Sequence, residues 1–506
     1  MMHYTTKEEV HNRAKDSLGL SMDKIYKTSG VYDTNVKNKN YIGDAFELWM
    51  GVAKNSRAEA DLPEVGIELK ATPYKILKNG QYSAKERLVL NIINYMNEAN
   101  ATFETSSFSH KDKLMELAFY HHNTNKPKNL WTFDEAILFS FPEKDLQIIK
   151  HDWEIIHQAI LDGKAHELSE GMTDYLGACT KGASKKSVKQ QPFSPIMAKQ
   201  RAYCLKAGYM TSILRNYVFG DQQDPAIQKH KFELNTQKDK KEASNHPEQI
   251  ATAEELATSS LDEIILKRLN SFKGLSVAEL KSKLNINVTG TPKQLNSILI
   301  ARMLNLKGDS ANEAEEIQKA DIQIKTISLK SNGKIKESMS FPTFKFNDVV
   351  NQSFENSDFY DNLTKRFLFP VFKRLKNQKP SDDEIIFLGA KFWYLPEKDL
   401  EVIKGVYDDT AHTLRDGVQL EVRNGRVYNN FVPASANRVS HVRPHTSQTQ
   451  YVQGKYSNEL PTPATWINRP NNDEKFDPSG RYMTTQCFWL NSTYLDEQIT
   501  DITEFK

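Results

Sequence analysis

Cysteine and long apolar stretches are scarce in this 506-residue sequence. The three cysteines, Cys179, Cys204 and Cys487, are far apart and form no CxxC pair, which argues against a disulfide framework or a cysteine zinc site. No apolar stretch reaches the roughly 18 residues of a membrane-spanning helix. The N-terminus carries acids and polar residues where a secretory signal would carry an apolar core. We therefore expect a cytoplasmic protein without a membrane partner.

Net charge and common enzyme motifs are also lacking. The 67 basic and 65 acidic residues leave a net charge of only +2, so any nucleic-acid-binding surface must be local. The sequence contains no GxxxxGK[ST] phosphate loop, no HExxH zinc motif and no Gly-x-Ser-x-Gly nucleophile elbow. The chemistry must therefore be sought in other residue patterns.

A nine-residue segment occurs twice. Residues 142–150 read PEKDLQIIK and residues 396–404 read PEKDLEVIK, so seven of nine positions agree at an offset of 254. In the first copy Ile149, Trp153, Ile156 and Ile160 fall at helical spacing, and Gly163 follows as a stop signal. Both copies are predicted to form the same amphipathic helix.

A second match lies upstream of the first. Residues 67–70 (IELK) resemble residues 322–325 (IQIK) at an offset of 255, and an Asn-Gly pair, a strong hairpin signal, follows each. Two matches in the same order indicate that a whole domain was duplicated. Residues 219–260 are polar and read as a linker. The expected organisation is a mixed α/β domain over 1–218, the linker over 219–260, and a related domain over 261–506.

The segment from residue 61 to residue 70 carries the candidate chemistry. Apolar residues alternate with Glu68 and Lys70, which predicts a strand that projects both charged side chains from one face. Asp61 precedes the strand beside Pro63 and can fold back toward the same place. Glu47, in a short helical pattern just upstream, is a further candidate.

Carboxylates grouped with an amine suit phosphodiester hydrolysis. Asp61 and Glu68 would bind Mg²⁺, a hard cation that prefers oxygen ligands, and the carboxylate of Glu47 could hold a second metal ion. The metal lowers the pKa of a bound water and stabilises charge on the scissile phosphate. Lys70 would orient or deprotonate that water. The alternative is that these charges are merely solvated on an open strand face, since the spacing alone also arises by chance.

A local cationic segment supports the nuclease interpretation. Residues 175–217 contain no acid but eight basic residues, among them Lys181, Lys185 and Lys186, with aromatic residues interleaved. Basic residues position a DNA backbone, and neighbouring polar or aromatic groups can reach bases. The alternative is a solvated lysine-rich surface.

These motifs together resemble the MutH-type endonucleases of the PD-(D/E)xK superfamily, and more closely the two-domain staphylococcal and lactococcal type II restriction enzymes that cut at GATC. The resemblance covers nearly the whole chain and implies two tandem MutH-like domains. The family's helix motif falls on Ile42, Gly43 and Glu47, with its preceding lysine at Lys39. Its catalytic Asp, Glu and Lys fall on Asp61, Glu68 and Lys70.

Further family motifs continue along the first half. A Glu-Thr-Ser segment begins at Glu104, a His-Lys pair ends at Lys111, and a Trp-Glu pair begins at Trp153. The resemblance implies DNA contacts for a set of residues that includes the reading loop and the strand after it: Lys39, Lys111, Cys179, Thr180, Lys181, Lys185, Lys186, Tyr203 and Lys206. The family's Arg-Pro in that loop is replaced here by Cys179 and Thr180.

The second half departs from the catalytic pattern. Gln323 replaces Glu68, and Lys325 stands without its acidic partners, whereas Arg443, Pro444 and His445 occupy the place of the family's reading loop. The resemblance therefore implies a non-catalytic half that binds DNA or regulates the first half. Whether it is an allosteric effector, an autoinhibitory domain or a tether is left open.

The resulting hypothesis is a Mg²⁺-dependent type II restriction endonuclease. By resemblance it cuts double-stranded DNA before the G of GATC, leaves four-base 5′ overhangs and works beside a cognate DNA methyltransferase; dimerisation on DNA is left open. Two alternatives are a mismatch-repair-type enzyme that nicks GATC, and a DNA-binding protein without enzymatic activity. The duplicated half argues against the first, and the second leaves Asp61, Glu68 and Lys70 without a purpose.

Overall fold

The computed structural model describes residues 2–32, 34–52, 59–182, 187–220, 247–288, 294–469 and 475–503. The chain divides into two compact units. The first contains residues 1–265 and 305–322, and the second contains residues 266–304 and 323–506. Among the described residues, no helix is both long and apolar enough to cross a membrane.

The helices and strands alternate along both halves of the chain. The α-helices are α1 (Lys7–Lys15), α2 (Met22–Thr28), α3 (Tyr41–Trp49), α4 (Tyr95–Glu98), α5 (Ser107–Lys111), α6 (Glu143–Leu161), α7 (Ala207–Ile213), α8 (Ala253–Leu256), α9 (Leu261–Asn270), α10 (Val277–Lys283), α11 (Leu295–Met303), α12 (Glu315–Lys319), α13 (Phe346–Asn351), α14 (Asp358–Leu363), α15 (Glu397–Asp416), α16 (Ser492–Gln498) and α17 (Thr500–Thr503). The strands of the first unit are β1 (Glu68–Ile76), β2 (Tyr82–Ala84), β3 (Leu88–Ile92), β4 (Leu114–His121), β5 (Glu135–Ser140), β6 (Leu176–Thr180), β7 (Val188–Lys189), β8 (Ala198–Lys199) and β9 (Arg201–Leu205). Those of the second unit are β10 (Gln323–Ile324), β11 (Ile327–Leu329), β12 (Met339–Phe344), β13 (Phe367–Arg374), β14 (Ile385–Trp393), β15 (Gln419–Arg423), β16 (Arg426–Asn429), β17 (Ser440–Pro444), β18 (Ser457–Glu459), β19 (Thr465–Asn468), β20 (Tyr482–Thr484) and β21 (Gln486–Leu490).

Two small sheets organise the first unit. One has the strand order β2-β1-β4-β5, in which β1 and β4 are parallel and the other pairs are antiparallel. Both of its inner strands are mostly buried, because α1, α2 and α3 contribute to a core that includes Val10, Phe46, Ile67 and Phe133. The other sheet has the order β3-β9-β6 and carries the cationic segment.

The second unit repeats this arrangement. β10 and β11 both pair in parallel with β13, which pairs antiparallel with β14, as β1 pairs with β4 and β4 with β5. A three-stranded sheet β12-β21-β17 corresponds to β3-β9-β6. The predicted duplication and the mixed α/β fold class are thereby confirmed.

The repeated nine-residue segment forms matching helices. α6 and α15 each begin directly after a proline, Pro142 and Pro396. Proline has no backbone N–H, and the first N–H groups of a helix have no partner within the helix, so proline is tolerated there. Ile149, Trp153 and Ile156 are buried on α6, as the helical spacing predicts. The Asn-Gly pairs also form turns in both units, with Gly80 at φ 82° and Gly333 at φ 79°.

The division into units differs from the expected domain limits at residues 261–265, which lie in the first unit, and again further along the chain. Residues 305–322 follow the expected boundary at 261 but pack with the first unit. There α12 is held by buried charges, since Lys319 Nζ lies 2.8 Å from both carboxylate oxygens of Asp145. Most of the expected linker, residues 221–246, lies outside the described residues.

Candidate active site

A tight turn brings Asp61 back onto the start of β1. Leu62 and Ile67 form an isolated bridge, in which Leu62 N–H donates to the Ile67 carbonyl at 3.0 Å. Gly66 closes this turn at φ 67°, a left-handed conformation that favours glycine. The strand that begins at Glu68 therefore starts directly beside Asp61.

Asp61 and Glu68 are joined by reciprocal hydrogen bonds. The Asp61 backbone N–H donates to Glu68 Oε2 at 3.1 Å, and the Leu69 backbone N–H donates to Asp61 Oδ2 at 3.1 Å. Each carboxylate thus fixes the backbone beside the other. The structure brings together the two acids that the sequence places seven residues apart.

Two lysines converge on the Glu68 carboxylate. Lys70 Nζ donates to Glu68 Oε1 at 2.5 Å, and Lys111 Nζ, from α5, lies 3.4 Å from the same oxygen. Glu68 is only 1% exposed, so it is not a charge solvated on an open strand face. The interpretation of residues 61–70 as an ordinary polar strand is therefore wrong for Glu68.

Burial sets the protonation behaviour of this cluster. It raises the pKa of the Glu68 carboxyl, against the attraction of Lys70. Burial would lower the pKa of Lys70, but the negative charges of Glu68 and Asp112 outweigh it, and the net effect raises the pKa. Glu47 on α3 belongs to the same electrostatic group, since burial and then the charge of Asp61 raise its pKa.

One acid at this place was missed by the sequence reasoning. Asp112 ends α5 and is fully buried, and neither of its carboxylate oxygens has a hydrogen-bond partner among the described residues. Burial raises its pKa to about 7, while Lys70 opposes that rise. Its one signal in the sequence is that it directly follows Lys111, a residue for which the resemblance implies a DNA contact.

The donor chemistry of the cluster fits a hard divalent cation. Asp61 and Glu68 offer adjacent carboxylate oxygens, and mutual repulsion with Glu47 is relieved by added positive charge. Within the described ranges, however, no three acidic, histidine or cysteine side chains are close enough to form a complete metal-binding group. Asp61 and Glu68 are therefore the two acids that would hold the ion, and Glu47 and Asp112 are coupled to them by charge.

The comparisons with known proteins agree with this geometry. The family model described as "DNA mismatch repair enzyme MutH" matches the chain twice, at residues 50–152 and 304–405. The chain is 42% identical to the type II restriction enzyme Sau3AI of Staphylococcus aureus over 99% of its own length and 100% of the relative. It belongs to the MutH-like type II restriction endonucleases.

Single-domain relatives match about two fifths of the chain. The DNA mismatch repair protein MutH of Shewanella woodyi is 29% identical over 41% of this chain and 91% of the relative. MutH of Escherichia coli is 24% identical over 42% of this chain and 93% of the relative. As a restriction endonuclease with two MutH domains, the chain is a site-specific deoxyribonuclease.

Three side chains of this restriction endonuclease that were expected to contact DNA are buried, which corrects that expectation. Cys179 is fully buried in β6, where it packs against Ala202 and Cys204. Tyr203 is fully buried, and its hydroxyl donates to Glu98 Oε1 at 2.8 Å. Lys206 is 8% exposed and its Nζ donates to the Thr173 carbonyl. These side chains therefore contact the protein interior rather than an open surface.

The other side chains expected to contact DNA differ in where they lie and in how exposed they are. Lys181 is exposed just after β6, Thr180 is half-buried, and Lys39 is exposed just before α3. Lys111 lies beside Glu68, in the cluster of acids and lysines described above. Lys185 and Lys186 lie outside the described residues.

The second unit of this endonuclease keeps the strand but not the acids. Gln323 begins β10 and its N–H donates to the Arg366 carbonyl at 2.8 Å. Burial, together with Lys365, lowers the pKa of Lys325. Glu316, seven residues before Gln323, is buried in the first unit, where it accepts hydrogen bonds from Lys144 and the backbone N–H of Ile250, both at 2.8 Å.

The reading-loop counterpart of the second unit is exposed. The Arg443 guanidinium lies 3.9 Å from the centre of the Trp489 ring, and His445 lies 4.8 Å from the same ring centre. Arg443 and His445 are exposed and Pro444 is half-buried at the end of β17. Trp489, which the sequence reasoning did not single out, is the platform on which both side chains rest.

Proposed function

We propose that this enzyme hydrolyses double-stranded DNA at GATC, before the G, leaving four-base 5′ overhangs and requiring Mg²⁺. The observation that carries the proposal is the buried Glu68 carboxylate, held between Asp61 and two lysines. The similarity to Sau3AI over both full lengths supports the two-domain restriction function. We place the enzyme in the cytoplasm, beside a cognate DNA methyltransferase that protects the host sites.

The roles of the side chains follow from their contacts. Asp61 and Glu68 would hold Mg²⁺, with Glu47 as a third acid; when bound, the ion supplies an acidified water and neutralises charge on the phosphate. Because the Lys70 amine donates a hydrogen bond to Glu68, it is protonated at this contact. We assign Lys70 to orienting the attacking water and stabilising the charged transition state rather than to taking a proton.

Lys111 adds a second positive charge at the same carboxylate. Its Nζ lies 3.4 Å from Glu68 Oε1 and its side chain is 17% exposed. Such a lysine can face the negatively charged phosphate while it remains close to the carboxylates. We therefore propose a role in the catalytic cluster in addition to the DNA contact expected from the sequence.

The cleavage proposal is tested on plasmids with and without GATC. We expect linear products only when both Mg²⁺ and GATC are present, and sequenced ends that begin with the four bases of the site. EDTA should abolish cutting. Accumulation of nicked circles without linear product would instead favour the mismatch-repair-type activity. Plasmids methylated at adenine or cytosine in the site would show which modification protects.

We propose that the second unit binds DNA without cutting it. Gln323 brings no charge where a metal site needs a carboxylate, so metal binding there should be weak. Exposed Arg443 on its Trp489 platform, with Pro444 and His445, offers a surface for DNA. Two DNA-binding units in one chain can hold two DNA segments, and occupancy of the second would favour the active state of the first.

This regulatory proposal is tested by site number. A plasmid with one GATC site should be cut more slowly than one with several, and a short GATC duplex added in trans should accelerate cutting of the one-site plasmid. Arg443→Ala should remove that acceleration and leave basal cutting intact. Equal rates on both plasmids, unaffected by added duplex, would leave the second unit as a tether. Cutting that rises with the square of enzyme concentration would indicate dimerisation on DNA.

A further inference from the structure

A short ribbon extends from the sheet of the cationic segment. β7 pairs antiparallel with β8, so that Val188 faces Lys199 and Lys189 faces Ala198. The ribbon continues from β6 and β9, because Lys181 N–H donates to the Gln200 carbonyl at 2.8 Å and Gln200 N–H donates to the Ser187 carbonyl at 2.9 Å. The loop over residues 190–197 closes the ribbon.

This loop is fixed from inside by one buried amide. Gln191 is 2% exposed, and its Oε1 accepts from the Ala165 N–H at 2.7 Å. Its Nε2 donates to the Ile196 carbonyl at 2.6 Å and lies 3.0 Å from His166 Nδ1. The amide therefore joins both sides of the loop to the segment after α6.

Gly163 lets the loop approach the end of α6 closely. It adopts φ 68°, and a Cβ at this position would lie 2.7 Å from the carbonyl oxygen of Phe193. Pro192 and Pro195 flank Phe193 and restrict the backbone on both sides. The tip of the loop is thus held in one conformation.

At this fixed tip, Phe193 is both strained and exposed. It has φ 61°, while the other non-glycine residues with positive φ in the described ranges are asparagines, an aspartate and a lysine. Its side chain is 75% exposed, and Ile196 and Met197 beside it are 51% and 49% exposed. A bulky side chain in a left-handed conformation costs energy, and here the folded chain gains no burial in return.

The positive charge around this apolar tip indicates which kind of partner the tip contacts. Residues 175–217 contain eight basic and no acidic residues, and Lys181 and Lys189 are exposed on the ribbon. Apolar side chains on basic elements are the means by which proteins partly unstack a base step from the minor groove and bend the duplex. A DNA duplex offers phosphates to the lysines and an apolar base step to the tip.

We propose that Phe193 is a wedge that enters the bound duplex at a base step, with Ile196 and Met197 covering the adjoining sugars. The wedge would bend the DNA while the exposed lysines hold the backbone. This inference rests on the enzyme acting on DNA and does not depend on GATC being its site.

The test uses the full-length enzyme without Mg²⁺ and duplexes that contain the mapped cleavage sequence. 2-Aminopurine is placed at successive positions through and beside that sequence, since its fluorescence rises when stacking is lost. We expect wild-type enzyme to raise emission at one step, and Phe193→Ala to remove this response and weaken binding about ten- to a hundredfold. Phe193→Trp should retain both.

The controls separate the wedge from other roles. Leu130→Ala removes another apolar side chain of the first unit that is 53% exposed, and it should change neither emission nor affinity. Phe193→Gly removes the side chain and accepts the positive φ, so it should fold as wild type and behave as Phe193→Ala. An unchanged emission response in Phe193→Ala would overturn the proposal. So would loss of enzyme self-association with unchanged DNA response, because the tip would then contact protein.

Discussion

In the proposed mechanism, Glu68 is the side chain on which cleavage depends most directly. Its carboxylate contacts both Lys70 and Lys111 and lies beside Asp61. Glu68→Gln removes the negative charge from this position with little change of side-chain shape. We expect cleavage to fall by at least on the order of a thousandfold while affinity for DNA changes little, since affinity rests mainly on phosphate contacts. The measurements are single-turnover cleavage and a binding titration. Glu64→Gln, at an exposed acid of the same turn, should cut normally. Near-normal cutting by Glu68→Gln would remove it from the site.

Lys181 and Cys179 are neighbours with opposite environments, and they should respond differently. Lys181→Ala should weaken DNA binding: a lost phosphate contact lowers the salt slope by about 1 on every sequence, whereas a lost base contact relaxes specificity at one position. Lys7→Ala, an exposed lysine outside the cationic segment, is the control. Cys179→Ala should change stability rather than specificity, because Cys179 is fully buried. Unchanged affinity of Lys181→Ala on all duplexes would exclude it from the interface.

Local sequence patterns locate some of the side chains near Glu68 and miss others. The spacing of Asp61, Glu68 and Lys70 locates the acids because a turn and a strand determine their meeting locally. Asp112 joins them only through the packing of α5, and no local pattern reports such a contact. Likewise, motif position cannot tell that Tyr203 points into the core toward Glu98.

Among the elements, α6 holds the start of β6 through a single buried carboxylate. Asp152 is fully buried and accepts from the backbone N–H groups of Asp174, Tyr175 and Leu176 at 2.6, 2.6 and 2.8 Å. Asp152→Ala would leave these donors unsatisfied in the core, and we expect a loss of about 3 kcal/mol in unfolding free energy. Urea unfolding measures it. Asp162→Ala, at the exposed end of the same helix, should stay within about 0.5 kcal/mol. A similar small loss for Asp152→Ala would mean that other groups fix β6.

The internal repeat predicted most of the matching helices and strands of the two units. The shared nine residues locate α6 and α15, and the upstream match locates β1 and β10. The helices differ in their polar anchors, since the position of Asp152 is taken in the second copy by buried Val406. Sequence similarity therefore identified the element, while its buried contacts had to be read from the structure.

For the molecule as a whole, the first unit is not a continuous piece of chain. Residues 305–322 belong to it, so α12 lies in the first unit and β10, four residues later, in the second. The polar stretch 219–260 gave the composition signal for a boundary, but composition cannot report that a later helix returns to the first unit. Where the chain returns, Lys319 Nζ contacts Asp145, which is far from it in sequence.

The Lys319–Asp145 pair should therefore contribute to the stability of the whole enzyme. Both side chains are nearly buried, and Lys319 also lies 2.6 Å from Glu315, so Lys319→Met leaves two acids without their cation. We expect a loss of about 3 kcal/mol in unfolding free energy. The double variant Asp145→Asn/Lys319→Met should recover about half of it, because the amide can still accept from the Tyr209 hydroxyl without a buried charge. Lys164→Met, at an exposed lysine of the same unit, is the matched control. Additive losses in the double variant would show that the two charges do not stabilise each other. A loss within about 0.5 kcal/mol for Lys319→Met alone would show that α12 is held by its apolar contacts.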